Sequence, residues 1–144
     1  MKVLFDTSVL VAAIVDSHPA HKLALPWLQK VQKGTLQGFV AAHSLAELYA
    51  ILTRLPVRPR ISPQLAQQSI ERHVHTFFTV VSLSNVDYFT VIEHLSNQGI
   101  IGGATYDALI LYAALKENVD QIITLNVKDF RRLYPSLASR VITP

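Results

Sequence analysis

The feature that most constrains this chain is an alternation, sustained from end to end, between apolar runs of strand length and longer segments with helical spacing. Val3-Leu4-Phe5 predicts a first strand, and Thr7 to Val15 an apolar segment too long for an ordinary strand, hence a buried helix. A second helix is expected from His18-Pro19 to Lys33, with Leu23, Trp27, Leu28 and Val31 at helical spacing and Gly34 past its end. Phe39-Val40-Ala41 reads as the next strand, followed by a helix that opens at Ser44 and runs through Leu52. Pro56, Pro59 and Pro63 make the stretch from Leu55 to Gln64 a loop. Ser62, with Pro63 behind it, starts a helix whose expected apolar face is Leu65, Ala66, Ile70, Val74 and Phe77. A strand follows at Val80 to Leu83. Asn85 is the expected cap of a helix with Tyr88, Val91, Ile92 and Leu95 on one side, closed by Gly99 and then by the Gly102-Gly103 pair. Ala104 to Lys116 is a helix, Gln121 to Thr124 a strand, and Arg140 to Ile142 a short last strand. No repeat, low-complexity tract or linker interrupts the pattern. The expectation is one α/β domain over residues 1–144, with a mainly parallel sheet between two helical layers.

Composition narrows the chemistry. The 144 residues are 50% hydrophobic and only 16% charged, enough for a substantial core. With no cysteine, disulfide frameworks, thiolate nucleophiles, thiolate zinc sites and iron–sulfur clusters are excluded, and a reducing cytoplasm is the expected location. Asp6 interrupts the amino terminus too early for a secretory apolar region. The longest apolar run, Val9 to Val15, is far short of the roughly 18 residues that span a bilayer. Thirteen Lys and Arg against ten Asp and Glu give +3, a weak tilt toward polyanionic partners.

In an open parallel sheet the binding crevice lies beyond the carboxyl ends of the strands. Four acids are expected there. Asp6 follows the first strand, and Glu47 lies in the first turn of the helix leaving Phe39–Ala41. Asp107 opens a helix that feeds strand Gln121–Thr124, so it lies at the far, carboxyl edge, and Asp129 sits in the loop after that strand. Like charges gathered in one place require compensation by a cation or by protons. Hard oxygen ligands select Mg²⁺ or Mn²⁺, and carboxylate-held divalent ions hydrolyse phosphodiesters.

Plainer roles stand beside each of these. Ser44-x-x-Glu47 also matches a capping box, and Asp6 and Asp129 can each be helix caps. Asp107 precedes a run from Ala108 to Leu115 that is apolar on every side, so an acid there is harder to explain by the helix dipole alone. Thr7, Ser8, Thr124 and Asn126 are short polar groups at the same edge, able to orient carboxylates or simply to make turns. His73 and His75 point to different faces, and His18, His21, His43 and His94 show no ligand pairing, so solvated or capping roles are expected for all of them. Arg54, Arg58 and Arg60 around the proline loop, with Arg131 and Arg132, are candidate contacts to a phosphate backbone; a solvated surface explains them equally well.

Asp6-Thr7-Ser8-Val9-Leu10, Ser44-Leu45-Ala46-Glu47-Leu48-Tyr49, Tyr106-Asp107-Ala108-Leu109-Ile110 and Thr124-Leu125-Asn126-Val127-Lys128-Asp129-Phe130 resemble, in order and spacing, the successive motifs of PIN-domain ribonucleases. The branch they look most like is the VapC-like toxins of toxin–antitoxin pairs. The resemblance spans essentially the whole chain. It implies a PIN-like α/β/α fold with four or five parallel strands, Mg²⁺- or Mn²⁺-dependent cleavage of single-stranded RNA, a homodimer, and inhibition by a small antitoxin. By that match Asp6, Glu47 and Asp107 take the core ligand positions. Many members carry an aspartate where this chain has Asn126, which leaves Asp129 to supply the fourth carboxylate.

Other carboxylate-edge enzymes fit less well. A haloacid-dehalogenase-type phosphatase would want an aspartate where Ser8 stands, and a receiver domain one within Leu83-Ser84-Asn85. Gly102-Gly103 has no Walker lysine. The rival of a different class is a non-catalytic PIN-like module that binds nucleic acid or protein; retention of three core acids argues against it, because burying unneeded carboxylates is costly.

Overall fold

The computed structural model describes residues 1–144. Strand β1 (Lys2–Phe5) leads into helices α1 (Thr7–Ile14) and α2 (His21–Gln32), and then β2 (Gln37–Ala41). Helices α3 (Ala42–Arg54) and α4 (Pro63–Ile70) precede β3 (Phe78–Val81), and α5 (Asn85–Asn97) and α6 (Ala104–Lys116) precede β4 (Gln121–Ile123). Helix α7 (Val127–Leu133) and a short 3₁₀ turn lead to β5 (Val141–Ile142). The five strands lie in the order β3-β2-β1-β4-β5, with every neighbouring pair parallel. The expected mainly parallel sheet is therefore wholly parallel.

Both faces of this sheet are covered, which explains why its strands read as unbroken apolar runs rather than as alternating ones. Leu4, Phe39, Ala41 and Ile122 pack against α5, α6 and α7 in one core. Val3, Phe5, Val40 and Ile123 face the other way, into a core shared with α1 to α4. Strand alternation thus distributes one apolar run between two cores. Because β1 pairs with β2 on one side and β4 on the other, the strand order reverses at β1, and the crevice of such a sheet opens beyond its carboxyl end. Asp6 is the next residue.

Several local expectations need correction. Strand β2 runs into α3 with no linker, so the helix starts at Ala42 and Ser44 is already inside it. The Ser44 hydroxyl is buried without a hydrogen-bond partner, no capping box forms with Glu47, and Glu47 belongs to the second turn rather than the first. The box occurs instead at α5, where Ser84, not Asn85, is the cap and is reciprocated by Asp87, itself held by Lys116 Nζ at 2.7 Å. The helix begun at Pro63 widens into a π-helical turn over Glu71–His75, whose added residue changes the phase beyond it, so Val74 stays buried while Phe77 is exposed; Leu65, ahead of that turn, is exposed as well, and Ala66 buries α4. Leu23, Tyr88 and Ile92 are also exposed, leaving Ala24, Leu28 and Val31 to bury α2, and Val91 and Leu95 to bury α5. Asp129 lies in the first turn of α7, not in a loop. No helix is long and apolar enough to cross a membrane.

Gly38 marks where β2 is packed tightest: a Cβ there would stand 2.7 Å from Val31 Cγ1 and 2.8 Å from Phe78 Cδ1 and Cε1, both in buried side chains. Gly38→Ala is expected to cost about 1–3 kcal/mol of stability by overpacking, read as a lower Tm in circular dichroism. An unchanged Tm would show that Val31 and Phe78 can move aside.

Candidate active site

The sheet delivers the acids to one edge, and hydroxyls fix the most buried of them. The Asp6 main-chain N–H donates to the Ile123 carbonyl at 3.0 Å, extending the β1–β4 ladder by one residue before the chain turns into α1. Its side chain is 3% exposed. Although Asp6 occupies the cap position of α1, its carboxylate makes no capping bond there. Instead Oδ2 accepts hydrogen bonds from Ser8 Oγ and from Thr124 Oγ1, the latter at 2.8 Å. Each hydroxyl in turn accepts from the loop after β4: Leu125 N–H donates to Ser8 at 3.1 Å, and Asn126 N–H to Thr124 at 3.0 Å. The two amides orient the hydroxyl protons toward the carboxylate. Burial raises the pKa of Asp6, while the bonds from Ser8 and Thr124 favour its charged form.

Glu47 comes from α3, where Thr7 Oγ1 donates to its Oε1 at 3.2 Å and His43 Nε2 lies 3.4 Å from the same oxygen. Burial raises its pKa, His43 and Thr7 oppose that, and the charge of Asp6 adds to it. Asp107, in the first turn of α6, is pushed up to about 7 by burial and then by Asp6, Glu47 and Asp129. The four acids thus act on a common space, with Asp129 on its exposed side. No lysine or arginine forms an ion pair with any of them, and His43 is the one basic group within reach.

The donor set is all hard oxygen, has no lysine or arginine to offset its charge, and includes a buried carboxylate that accepts two hydroxyl hydrogen bonds. That chemistry fits a small divalent cation. The carboxylates face one another without closing into a cage: no three acidic or histidine side chains stand in ligating geometry. Asn126 is exposed at the start of α7, and its side chain makes no capping bond.

The arginines are dispersed. Arg54 ends α3, seven residues and about 10 Å of helix beyond Glu47. Arg58 and Arg60 lie in the proline loop, where Arg58 helps line a cavity of about 470 Å³ with Val15, Asp16 and Leu65. Arg132 borders Gln98 and Ile100. Arg131 donates to the Val141 carbonyl at 2.9 Å and so ties α7 to β5. His43, read from sequence as solvated or capping, belongs to the site; its i,i+4 spacing to Glu47 was the available signal. Its ring stacks on Tyr106, the residue before Asp107, with centroids 5.1 Å apart.

The raised pKa of Asp107 fixes the sign of a pH effect. Folded chains hold this proton up to about 7, whereas unfolded chains release it near the ordinary value of 3.8, so stability falls as pH rises through that window. Chelator-treated protein is expected to lose Tm across the window, and Asp107→Asn to flatten the decline in scanning fluorimetry. An equally steep decline in the variant would contradict this.

Comparison with known proteins identifies the family. The PIN domain family matches residues 3–134. Ribonuclease VapC40 of Mycobacterium tuberculosis is 34% identical over 115 residues, covering 76% of this chain and 75% of the relative. Ribonuclease VapC27 of the same organism is 31% identical over 115 residues, covering 80% and 78%. Among solved structures, VapBC2 from Rickettsia felis, bound to a DNA fragment from its promoter, superposes with a TM-score of 0.70 at 22% identity, covering 100% of this chain and 99% of that one. VapC20 of Mycobacterium tuberculosis, described as a sarcin-ricin loop cleaving toxin, has a TM-score of 0.65 at 16% identity, covering 83% and 86%. With its wholly parallel sheet and its acids gathered at the carboxyl edge of β1, the chain belongs to the PIN-domain family, among the relatives of the VapC ribonucleases.

Proposed function

We propose that this protein is a metal-dependent endoribonuclease that hydrolyses phosphodiester bonds of single-stranded RNA, and that it is the toxin of a toxin–antitoxin pair. The observation that carries the reading is the convergence of Asp6, Glu47, Asp107 and Asp129 with no lysine or arginine to neutralise them. The identity to two ribonucleases over three quarters of the chain supports RNA as substrate.

Asp6, Glu47 and Asp107 would hold Mg²⁺, or Mn²⁺ in its place, with Asp129 and Asn126 at the open side. When bound, such an ion supplies a water of lowered pKa and offsets charge on the phosphate. The protein's part is positional. Ser8 and Thr124 orient Asp6 through two hydrogen bonds to Oδ2, so less ordering of this side chain would accompany binding. Thr7 donates to Glu47 Oε1, and Asp107 would be held as the carboxylate once a cation is bound.

The VapBC2 complex supports a protein partner for this chain as well. Val86, Phe89 and Ile92 form an exposed apolar stripe on α5, suited to a second copy or to a small antitoxin. The protein is proposed to act as a homodimer in the cytoplasm, restrained by that antitoxin.

Purified protein is expected to cut single-stranded RNA with Mg²⁺ or Mn²⁺ and to stop on chelation. Asp6→Asn should abolish cleavage. Thr124→Val, which removes a supporting hydroxyl and leaves every carboxylate, should lower activity by about 10–100-fold. Full cleavage by Asp6→Asn would refute the assignment, and absence of cleavage by the parent would favour a binding module. Co-expression with the neighbouring open reading frame should yield a stable complex and restore growth.

A further inference from the structure

Tyr106 and His43 form an aromatic pair at the edge of the carboxylate site. Their rings are nearly parallel, with an interplanar angle of 3° and centroids 5.1 Å apart. Tyr106 is nevertheless 52% exposed, although it directly precedes Asp107 in the first turn of α6. His43 is the more enclosed partner; its Nε2 stays near Glu47 Oε1, on the same helical face one turn away. The tyrosine is thus backed on one side by a ring that α3 holds in place, and offers the rest of its surface to solvent. Neither the ladder of the sheet nor either core requires this arrangement, since Tyr106 lies outside both cores.

We infer that the His43–Tyr106 stack is a platform for one unstacked nucleobase of the RNA, beside the phosphodiester held at Asp6, Glu47 and Asp107. The inference rests on the ribonuclease reading above and deepens it. A single strand presents bases with free π-faces, and aromatic side chains next to a backbone-binding site capture them with little regard to base identity. A pre-stacked tyrosine is suited to this because its ring has already lost rotational freedom, so less ordering accompanies binding. The pairing also gives the site a geometric preference: a base stacked within a duplex cannot reach the ring, whereas one splayed from a loop or single strand can.

The test separates binding from cleavage. In an Asp6→Asn background, where the RNA stays whole, a single-stranded RNA with one 2-aminopurine base is titrated with full-length protein and with its Tyr106→Leu and Tyr106→Phe versions. Binding should quench 2-aminopurine fluorescence in the Tyr106 and Tyr106→Phe proteins. Tyr106→Leu should weaken binding by about tenfold, within the range of one base–aromatic stack, and lose the quench. A fully base-paired version of the same strand should bind all three alike. If Tyr106→Leu binds and quenches as its parent does, the platform is refuted and the exposed ring is left as a protein-contact surface. If the quench is lost as expected while Asp6-intact protein fails to cut RNA, the base platform stands and the ribonuclease reading falls.

Discussion

Carboxylate repulsion at the end of β1 is the interaction on which the site depends. Burial, and then three neighbouring acids, push a fourth, Asp107, up to about 7, and no lysine or arginine relieves them. A fold tolerates this only where the surroundings are rigid and where something else supplies positive charge. Rigidity comes from the sheet: β1 lies at its centre, is buried on both faces, and delivers Asp6 into hydrogen bonds that tie the β1 and β4 ends together. The hydroxyls of Ser8 and Thr124 are therefore as structural as they are functional, because each bridges the carboxylate to a loop amide.

The same architecture separates charge by location. Asp120, at the opposite edge, accepts from the Lys2 main-chain N–H at 2.7 Å, and Asp87 is neutralised by Lys116. Asp87 and Asp120 are thus paired with a lysine and with a main-chain N–H, whereas no lysine or arginine pairs with the four acids at the carboxyl edge of β1. A net charge of +3 conceals this division. A cation bound among the edge acids would leave the remaining surface more basic than the total suggests, favourable to a polyanion.

The large features were legible in the sequence because they follow from burial and topology. Both sheet faces are covered, so the strands appear as apolar runs, and the carboxyl-edge rule then locates Asp6, Glu47, Asp107 and Asp129 without any knowledge of side-chain geometry. What escaped was decided by phase and by neighbours. Ser44-x-x-Glu47 has the spacing of a capping box, yet the absence of a linker after β2 starts the helix two residues earlier and buries the serine. The π-helical turn at Glu71–His75 shifts the face expected to carry Phe77, and nothing in the apolar spacing announces it. His43 looked solitary although Glu47 stands one turn on along α3, and only the tertiary structure adds Tyr106, from a distant helix, to that pair. Arg131, one of the candidate phosphate contacts, is exposed and also donates to the Val141 carbonyl of β5, a bond that the sequence does not announce.

The proposed role of these acids is to bind a cation rather than merely to be tolerated by the fold. Calorimetric titration of Mn²⁺ into the full-length protein, compared with Asp6→Asn and Asp107→Asn, measures it most directly. The expected result is saturable Mn²⁺ binding by the parent, weakened at least about tenfold in either variant, each of which keeps the shape of the side chain and removes its charge. Equal uptake of Mn²⁺ by all three proteins, or none by the parent, would contradict it.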